Sequence, residues 1–383
     1  MKQHSPKVAL IQNRLQPGGR FQVMAEMIRV LNRHGIRPCI ITFRFRLTAE
    51  KIRSYYGQNL DFELRLLKPE PPLPFEWNIT WFNRRVSREL QDFDLVINHN
   101  NTSFGLNTST PVLSYVHFPR KYRLATGLQD MHRPEAGRLN WLNYRQDLFN
   151  LMARYYRRDV SFNPAEQLLA NSDYTRACLL EAYPELAPDE VAVLYPPVKL
   201  PAALAPPGTK NQMVSLGRIA PQKRQLEQIE LAARVPGVKL VIIGFVADEQ
   251  YYRQCRERIV ALAADRIRII ANAEQAVIDE ELAQSRFFIH AMRNEPFGIT
   301  PVQAIAKGCL PLVHNSGGQR EVVIDEDLRY EDMDQAVGKL QELLAADSGR
   351  LTDKLQALQK HIKKFGTEQF SAQFEQKLIS LLP

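Results

Sequence analysis

The strongest constraint in this chain is a rhythm, in which short apolar, β-branched runs alternate with amphipathic stretches of helical length. Strand-like runs occupy residues 8–12, 38–43, 95–99, 112–117 and 168–171, with helix-like segments at 21–34 and 142–156 between some of them. The second half repeats the rhythm at 212–217, 239–245, 266–271, 286–290 and 310–314. Strands that alternate with helices pair in parallel, because the crossover helices cover both faces of the sheet. At 383 residues the chain exceeds one ordinary core, so two domains are expected. The boundary falls in residues 195–208, where five prolines and a glycine cannot continue either sheet. The fold class is therefore α/β, with two doubly wound domains facing each other across a cleft. Open α/β sheets bind ligands beyond the carboxyl ends of their strands, which directs attention to the loops found there.

Composition narrows the class further. With 45% hydrophobic and 24% charged residues, the chain is globular rather than disordered or fibrous. No apolar run reaches the roughly 18–20 residues needed to cross a bilayer. The first residues run straight into a strand-like stretch without an apolar export signal, so a cytoplasmic protein is expected. Cys39, Cys178, Cys255 and Cys309 are too scattered for a disulfide framework or a zinc site and read as reduced core thiols. The net charge of +8 is concentrated in the first half. Residues 1–195 hold 26 Lys/Arg against 19 Asp/Glu, and the remainder 24 against 23. Such an excess suits a phosphorylated acceptor, an anionic lipid surface or nucleic acid, and equally a well-solvated face.

Three constellations carry chemistry. After the first strand comes Pro17-Gly18-Gly19 and then a helix. Paired glycines there let backbone approach an anion, although a plain strand-to-helix turn looks the same. The pattern is not G-x-G-x-x-G, which disfavours a dinucleotide. The second constellation is Ser215-Leu216-Gly217-Arg218 through Pro221-Gln222-Lys223. It places two cations at a strand end beside a helix start, fit either for pyrophosphate or for plain solvation. The third is Phe288-Ile289-His290-Ala291-Met292-Arg293-Asn294-Glu295-Pro296-Phe297-Gly298-Ile299-Thr300. Here a buried strand enters a carboxylate-bearing turn that a helix follows at once. Glu295 can accept hydrogen bonds from sugar hydroxyls, and the N–H groups of Ile299 and Thr300 face phosphate. A further strand then ends in Asn315-Ser316-Gly317-Gly318.

These segments resemble the retaining glycosyltransferases of family 4, which have the two-domain GT-B fold. The likeness rests on the Glu-x-Phe-Gly turn at Glu295–Gly298 and the Gly-Arg-x-x-x-x-Lys element at Gly217, Arg218 and Lys223. Within that family the motifs are most similar to the α-1,2-mannosyltransferases that extend lipid-linked oligosaccharides. The shared stretches include Tyr115-Val116-His117-Phe118-Pro119, Tyr195-Pro196-Pro197 and His314-Asn315-Ser316-Gly317-Gly318. The resemblance implies an N-terminal acceptor-side domain, 1–198, completed by a helix over 367–383, and a donor-binding domain, 209–366. It further implies that Arg218 and Lys223 neutralise the departing diphosphate and that Glu295 holds the donor sugar with the Phe297-Gly298 backbone. Ile299 and Thr300 would hold phosphate, the loop near Asn272 the nucleobase, and His117 the donor sugar. Gly18 and Gly19 would lie near phosphate and acceptor. No metal or other cofactor is expected, and the donor implied is GDP-mannose.

Two departures matter. The family's second Glu, which holds the ribose, is Gln303 here, and an amide contacts a hydroxyl without charge. Arg20 follows the glycine pair, where many relatives carry a small or apolar residue. On the acceptor side, basic and aromatic residues interleave at 43–46, 77–85, 120–123 and 154–158. That pattern suggests a peripheral contact with anionic membrane near a polyprenyl-linked glycan acceptor, or core aromatics flanked by solvated arginines. No nucleic-acid motif accompanies it. The expected activity is transfer of a hexose to a glycan or lipid-linked glycan hydroxyl. The alternative, drawn from Gln303, is a nucleotide-sugar-binding protein with lost or weak turnover.

Overall fold

The computed structural model describes residues 5–16, 18–48, 52–53, 59–72, 75–119 and 166–382. The chain divides into two compact units, 1–197 with 367–383 and 198–366. The basic segments 120–123 and 154–158 and the helix-like segment 142–156 lie outside the described residues, as does Pro17.

Among the described residues, the N-terminal unit is built on seven strands: β1 (Val8–Ile11), β3 (Cys39–Thr42), β5 (Glu63–Leu66), β6 (Leu95–Asn98), β7 (Val112–Val116), β8 (Glu166–Ala170) and β9 (Val191–Val193). They pair in parallel in the order β5-β3-β1-β6-β7-β8-β9. A separate two-stranded ribbon joins β2 (Arg14–Leu15) to β4 (Arg44–Phe45). The central strands are buried at every position, the pattern of strands covered on both faces. One face packs on the helix Gly19–Arg33 through Phe21, Met24, Ile28 and Leu31. Phe370, Phe374 and Leu378 of the helix Thr367–Leu381 join that same cluster. The other face packs on Phe82 and Val86 of the helix Phe75–Val86.

The C-terminal unit is a six-stranded parallel sheet in the order β12-β11-β10-β13-β14-β15. Its strands are β10 (Lys210–Leu216), β11 (Lys239–Gly244), β12 (Ile267–Ala271), β13 (Ser285–His290), β14 (Leu310–His314) and β15 (Arg329–Tyr330). Asp248, Asp332 and Asp347 each accept a backbone N–H at the start of the helix they precede. β10 and β13 lie side by side, so the loops that follow them emerge together.

The division between the units falls within the proline-rich stretch, and from Val198 on that stretch is tied to the C-terminal unit. Val198 N–H donates to Phe365 O (2.9 Å), Ala205 N–H to Ala306 O (3.1 Å) and Gly208 N–H to Gly308 O (3.2 Å). Proline removes ladder donors, but these three N–H groups find acceptors, while Lys199, Pro201, Ala202, Ala203 and Pro206 stay exposed.

Candidate active site

In the C-terminal unit the three groups expected to serve a donor meet. β10 ends at Leu216 and the chain passes through Gly217 and the exposed Arg218. It then forms a short 3-10 turn, Pro221–Lys223, before the helix Gln225–Arg234. That turn is pinned at both ends, since Gln225 Nε2 donates to Arg218 O (2.8 Å) and Gln228 Nε2 to Lys223 O (2.9 Å). The result aims Lys223 at the turn after β13, where its ammonium donates to Glu295 Oε2 at 2.6 Å.

The Glu295 turn has its own support. Asn294 adopts a left-handed φ of 51°, with its N–H bonded to Ser316 Oγ (2.8 Å). Gly318 N–H donates to Glu295 O (2.8 Å). A Cβ on Gly317 would stand 2.5 Å from Glu295 O, and one on Gly318 would stand 2.2 Å from Pro296 O. The glycine pair after β14 is therefore required by close backbone packing against the Glu295 turn. Gly298, at φ 111°, caps the helix Ile299–Ala306. The N–H groups of Ile299 and Thr300, in the first turn of that helix, have no intrahelical acceptor. Phe297 points the other way and packs edge-on against Phe365, so only its backbone can serve a ligand. Gln303 is half-buried on the same helix, and among the described residues its side chain makes no hydrogen bond. Asn272 follows β12 at the sheet edge with a left-handed φ of 56°, its N–H bonded to Gly244 O.

Charge in this cluster is balanced by contact. Burial pushes the Glu295 carboxyl up, but Lys223 above all, with Arg218 adding to it, outweighs burial and holds it below the usual range. Sequence reading missed the fourth member, His290, at the end of β13. Its ring nitrogens lie 3.3 Å from Lys223 Nζ and 2.7 Å from Gln319 Oε1. Burial first, and Lys223 next, push this imidazole down to about 4. A histidine ending an apolar strand looks like any core histidine, and only the fold brings Lys223 and Gln319 to it.

In the N-terminal unit, Gly18 (φ 140°) caps the helix that Gly19 begins. His117 follows β7, its N–H bonded to Asn101 Oδ1 (2.8 Å). The His117 ring lies 5.0 Å from Tyr115 and 5.9 Å from His99, centroid to centroid. Burial pushes His117 well down and His99 to about 3, with Arg20 acting in the same direction. His117 Nε2, both His99 nitrogens and Gln12 Oε1 are buried without a partner among the described residues. Unpartnered polar atoms thus collect at the carboxyl ends of β1, β6 and β7, where sequence reading had singled out His117 alone. Asparagines surround them: Asn13 donates to Asn78 Oδ1, Asn100 to Asn83 Oδ1 and Asn98 to Ser114 Oγ.

The basic and aromatic segments separate on inspection. Phe43 and Phe45 are packed against Phe82 and Phe21, and Arg44 pairs with Glu70. Trp81, by contrast, is 51% exposed, and Arg84, Arg85 and Arg88 are exposed on the same turns of chain. Among the described residues no helix is long and apolar enough to cross a membrane. None of their His, Cys, Asp and Glu side chains cluster in threes fit to hold a metal.

Two parallel-sheet Rossmann-like units in one chain define the class as GT-B. The structure of HepE from Anabaena, solved with UDP-glucose, superposes with a TM-score of 0.71 at 15% identity. The match covers 98% of this chain and 99% of that one. Two family models lie end to end on the sequence, Glycosyltransferase Family 4 over residues 17–200 and Glycosyl transferases group 1 over 199–365. The chain belongs to the family 4 glycosyltransferases. Among curated relatives, the GDP-Man:Man(3)GlcNAc(2)-PP-Dol alpha-1,2-mannosyltransferase of Dictyostelium discoideum is 24% identical over 215 residues, 51% of this chain and 41% of that protein. The protein of the same name from Xenopus laevis is 21% identical over 291 residues, 68% of this chain and 59% of its own length. The chain thus spans about half the length of the curated relatives it matches.

Proposed function

We propose that this protein is a retaining glycosyltransferase that moves a hexose, mannose from GDP-mannose, onto a hydroxyl of a glycan or polyprenyl-linked glycan, without a metal. The observation that carries the reading is the Lys223–Glu295 pair, held beside Arg218 and the free N–H groups that open the helix Ile299–Ala306. In transfer, the bond between the anomeric carbon and the diphosphate oxygen breaks, and the acceptor oxygen bonds to that carbon. The acceptor proton leaves with the diphosphate. Negative charge grows on the departing oxygen, and stabilisation there lowers the barrier most. Arg218, Lys223 and the N–H groups of Ile299 and Thr300 are the donors this chain offers for that purpose. Glu295 takes the sugar hydroxyls, Gln303 the ribose and the loop at Asn272 the base. His117 serves the sugar, and Gly18 and Gly19 serve phosphate and acceptor.

The names of the curated relatives support a mannose donor and a lipid-linked acceptor. The exposed Trp81, Arg84, Arg85 and Arg88 follow i, i+3, i+4 and i+7 spacing and suit the anionic face of a cytoplasmic membrane. Flotation with anionic and neutral vesicles tests this contact; binding that ignores lipid charge and salt refutes it. Transfer itself is tested by offering GDP-mannose, GDP-glucose, UDP-glucose and UDP-GlcNAc with a polyprenyl-diphosphate glycan and following the product by mass. Glu295→Ala should abolish product with the circular dichroism spectrum unchanged, and full activity in that variant removes Glu295 from its role. A second reading, nucleotide-sugar binding with weak or no turnover, is favoured by Gln303 alone; binding without sugar release would establish it.

A further inference from the structure

His290 is enclosed at the end of β13, and each of its ring nitrogens faces a polar group. Nδ1 lies 2.7 Å from Gln319 Oε1, while Nε2 lies 3.3 Å from Lys223 Nζ and 3.4 Å from Glu295 Oε2. The far side of Gln319 decides which nitrogen holds the proton. The Gln319 amide nitrogen sits 2.9 Å from Met292 O and 2.6 Å from His314 O. Carbonyl oxygens only accept, so the group facing them is the NH2 and the oxygen faces His290. An amide oxygen also only accepts, so His290 Nδ1 carries the hydrogen. In the neutral ring Nε2 is then a bare lone pair. It cannot donate to Glu295, and the contact between those two is no salt bridge. It can accept from Lys223. The ammonium therefore donates once to Glu295 and once to His290, which leaves one of its three hydrogens. The Nε2–H ring would set the bare Nδ1 against the Gln319 oxygen, and the imidazolium would set a second positive charge 3.3 Å from the Lys223 ammonium.

We infer that His290, oriented by Gln319, is a positioning residue that fixes the Lys223 ammonium from the side opposite the ligand, leaving its third N–H for an oxygen of the donor diphosphate. The last clause rests on the donor reading given above; the orientation of the ring does not. The groups facing the imidazole are Lys223 from the turn after β10, Glu295 from the turn after β13 and Gln319 from the short helix after β14, with Arg218 acting on Glu295. Phe288 stacks on the ring from within the strand. Burial and Lys223 keep the ring neutral, with a value of about 4.

Nitrogen-15 histidine labelling of the full chain, read by long-range proton–nitrogen spectra, tests the orientation directly. The His290 signals are assigned by their loss in His290→Phe. The expected result is an Nδ1–H ring that does not titrate between pH 8 and pH 5.5. An Nε2–H ring, or titration near the ordinary value, overturns the inference. Gln319→Leu removes the acceptor that faces Nδ1, and Nε2–H rings should then appear; a ring that stays wholly Nδ1–H in that variant overturns the orientation by Gln319. The positioning role is read by calorimetry with GDP and UDP. His290→Phe should bind whichever nucleotide the wild type binds about tenfold more weakly, and equal affinity overturns the role. If neither nucleotide binds the wild type, the donor reading fails, and the tautomer alone decides on the ring's orientation.

Discussion

Removing Lys223 should cost stability in a way that depends on pH, because the carboxylate it leaves behind is enclosed. The pair is 2.6 Å apart, with side chains 19% and 17% exposed. That places it between exposed pairs, worth about 0–1 kcal/mol, and fully buried ones, whose breakage costs about 3–5 kcal/mol. Lys223→Met is expected to lose about 2 kcal/mol at pH 8. Burial already pushes Glu295 up, and Lys223 is the chief group holding it down. Without Lys223 the carboxyl takes up a proton at a higher pH, and a protonated Glu295 no longer needs a cation. The deficit of Lys223→Met should therefore shrink as pH falls from 8 towards 5. Glu295→Gln keeps an acceptor for the ammonium and should cost about 1 kcal/mol, in line with losing the charge-assisted part of one hydrogen bond. The double variant should recover part of the summed loss, giving a coupling of about 1–2 kcal/mol. Urea unfolding read by far-ultraviolet circular dichroism measures these changes. A coupling under about 0.5 kcal/mol, or a deficit that ignores pH, would refute the reasoning.

Three further outcomes follow from the same geometry. His99 and His290 stand at about 3 and about 4 in the native state, below the ordinary value of roughly 6.5. Unfolding lets both take up protons once pH drops below about 6.5, so stability is full above that value and declines towards the native ones, by about 1.4 kcal/mol per pH unit for each ring. Glu295, also held low, loses its contribution in the same direction at lower pH still. Melts from pH 7 to 5 should show the decline, His99→Phe should lessen it in tryptophan fluorescence while the buried His117 keeps its own share, and an unchanged slope contradicts the neutral burial of His99. Gly317→Ala puts a methyl group 2.5 Å from Glu295 O at a φ of 71°, so the Glu295 turn must shift. Nucleotide affinity by calorimetry should fall at least tenfold, and retained affinity would separate that turn from the ligand. Gln303→Glu restores a charged acceptor for ribose hydroxyls and should tighten nucleotide binding several-fold; no change would place the ribose elsewhere.

Much of the architecture was legible because its signal is local. Every central strand expected from apolar runs is present within a few residues, since strands covered on both faces must be apolar along their length. The strands that escaped notice are short or lie at the sheet edges. β5 shows Glu63-Leu64-Arg65-Leu66 with Leu64 and Leu66 exposed, and β9 and β15 span three and two residues. Two or three residues are too few to set a period, and the half-solvated edge β5 carries charge between its apolar residues. The proline-rich stretch shows the same limit. Composition reports which ladder hydrogen bonds it cannot make, while its acceptors at Phe365, Ala306 and Gly308 come from distant residues.

The sequence by itself determined the parallel α/β class, the position of the Glu295 turn and the cations expected to serve it, because strand, turn and helix start are consecutive in the chain. Only the tertiary structure decided what those groups do to one another. Lys223 and Glu295 are 72 residues apart, and the side-by-side pairing of β10 and β13 brings them to 2.6 Å. The same packing encloses His290 and turns Gln319 towards it, which sets the imidazole's charge and the nitrogen that bears its hydrogen. In the other unit, the pairing of β1, β6 and β7 gathers Gln12, His99 and His117 at the strand ends. Protonation depends on burial and on neighbours distant in sequence, and a linear chain specifies neither until it folds.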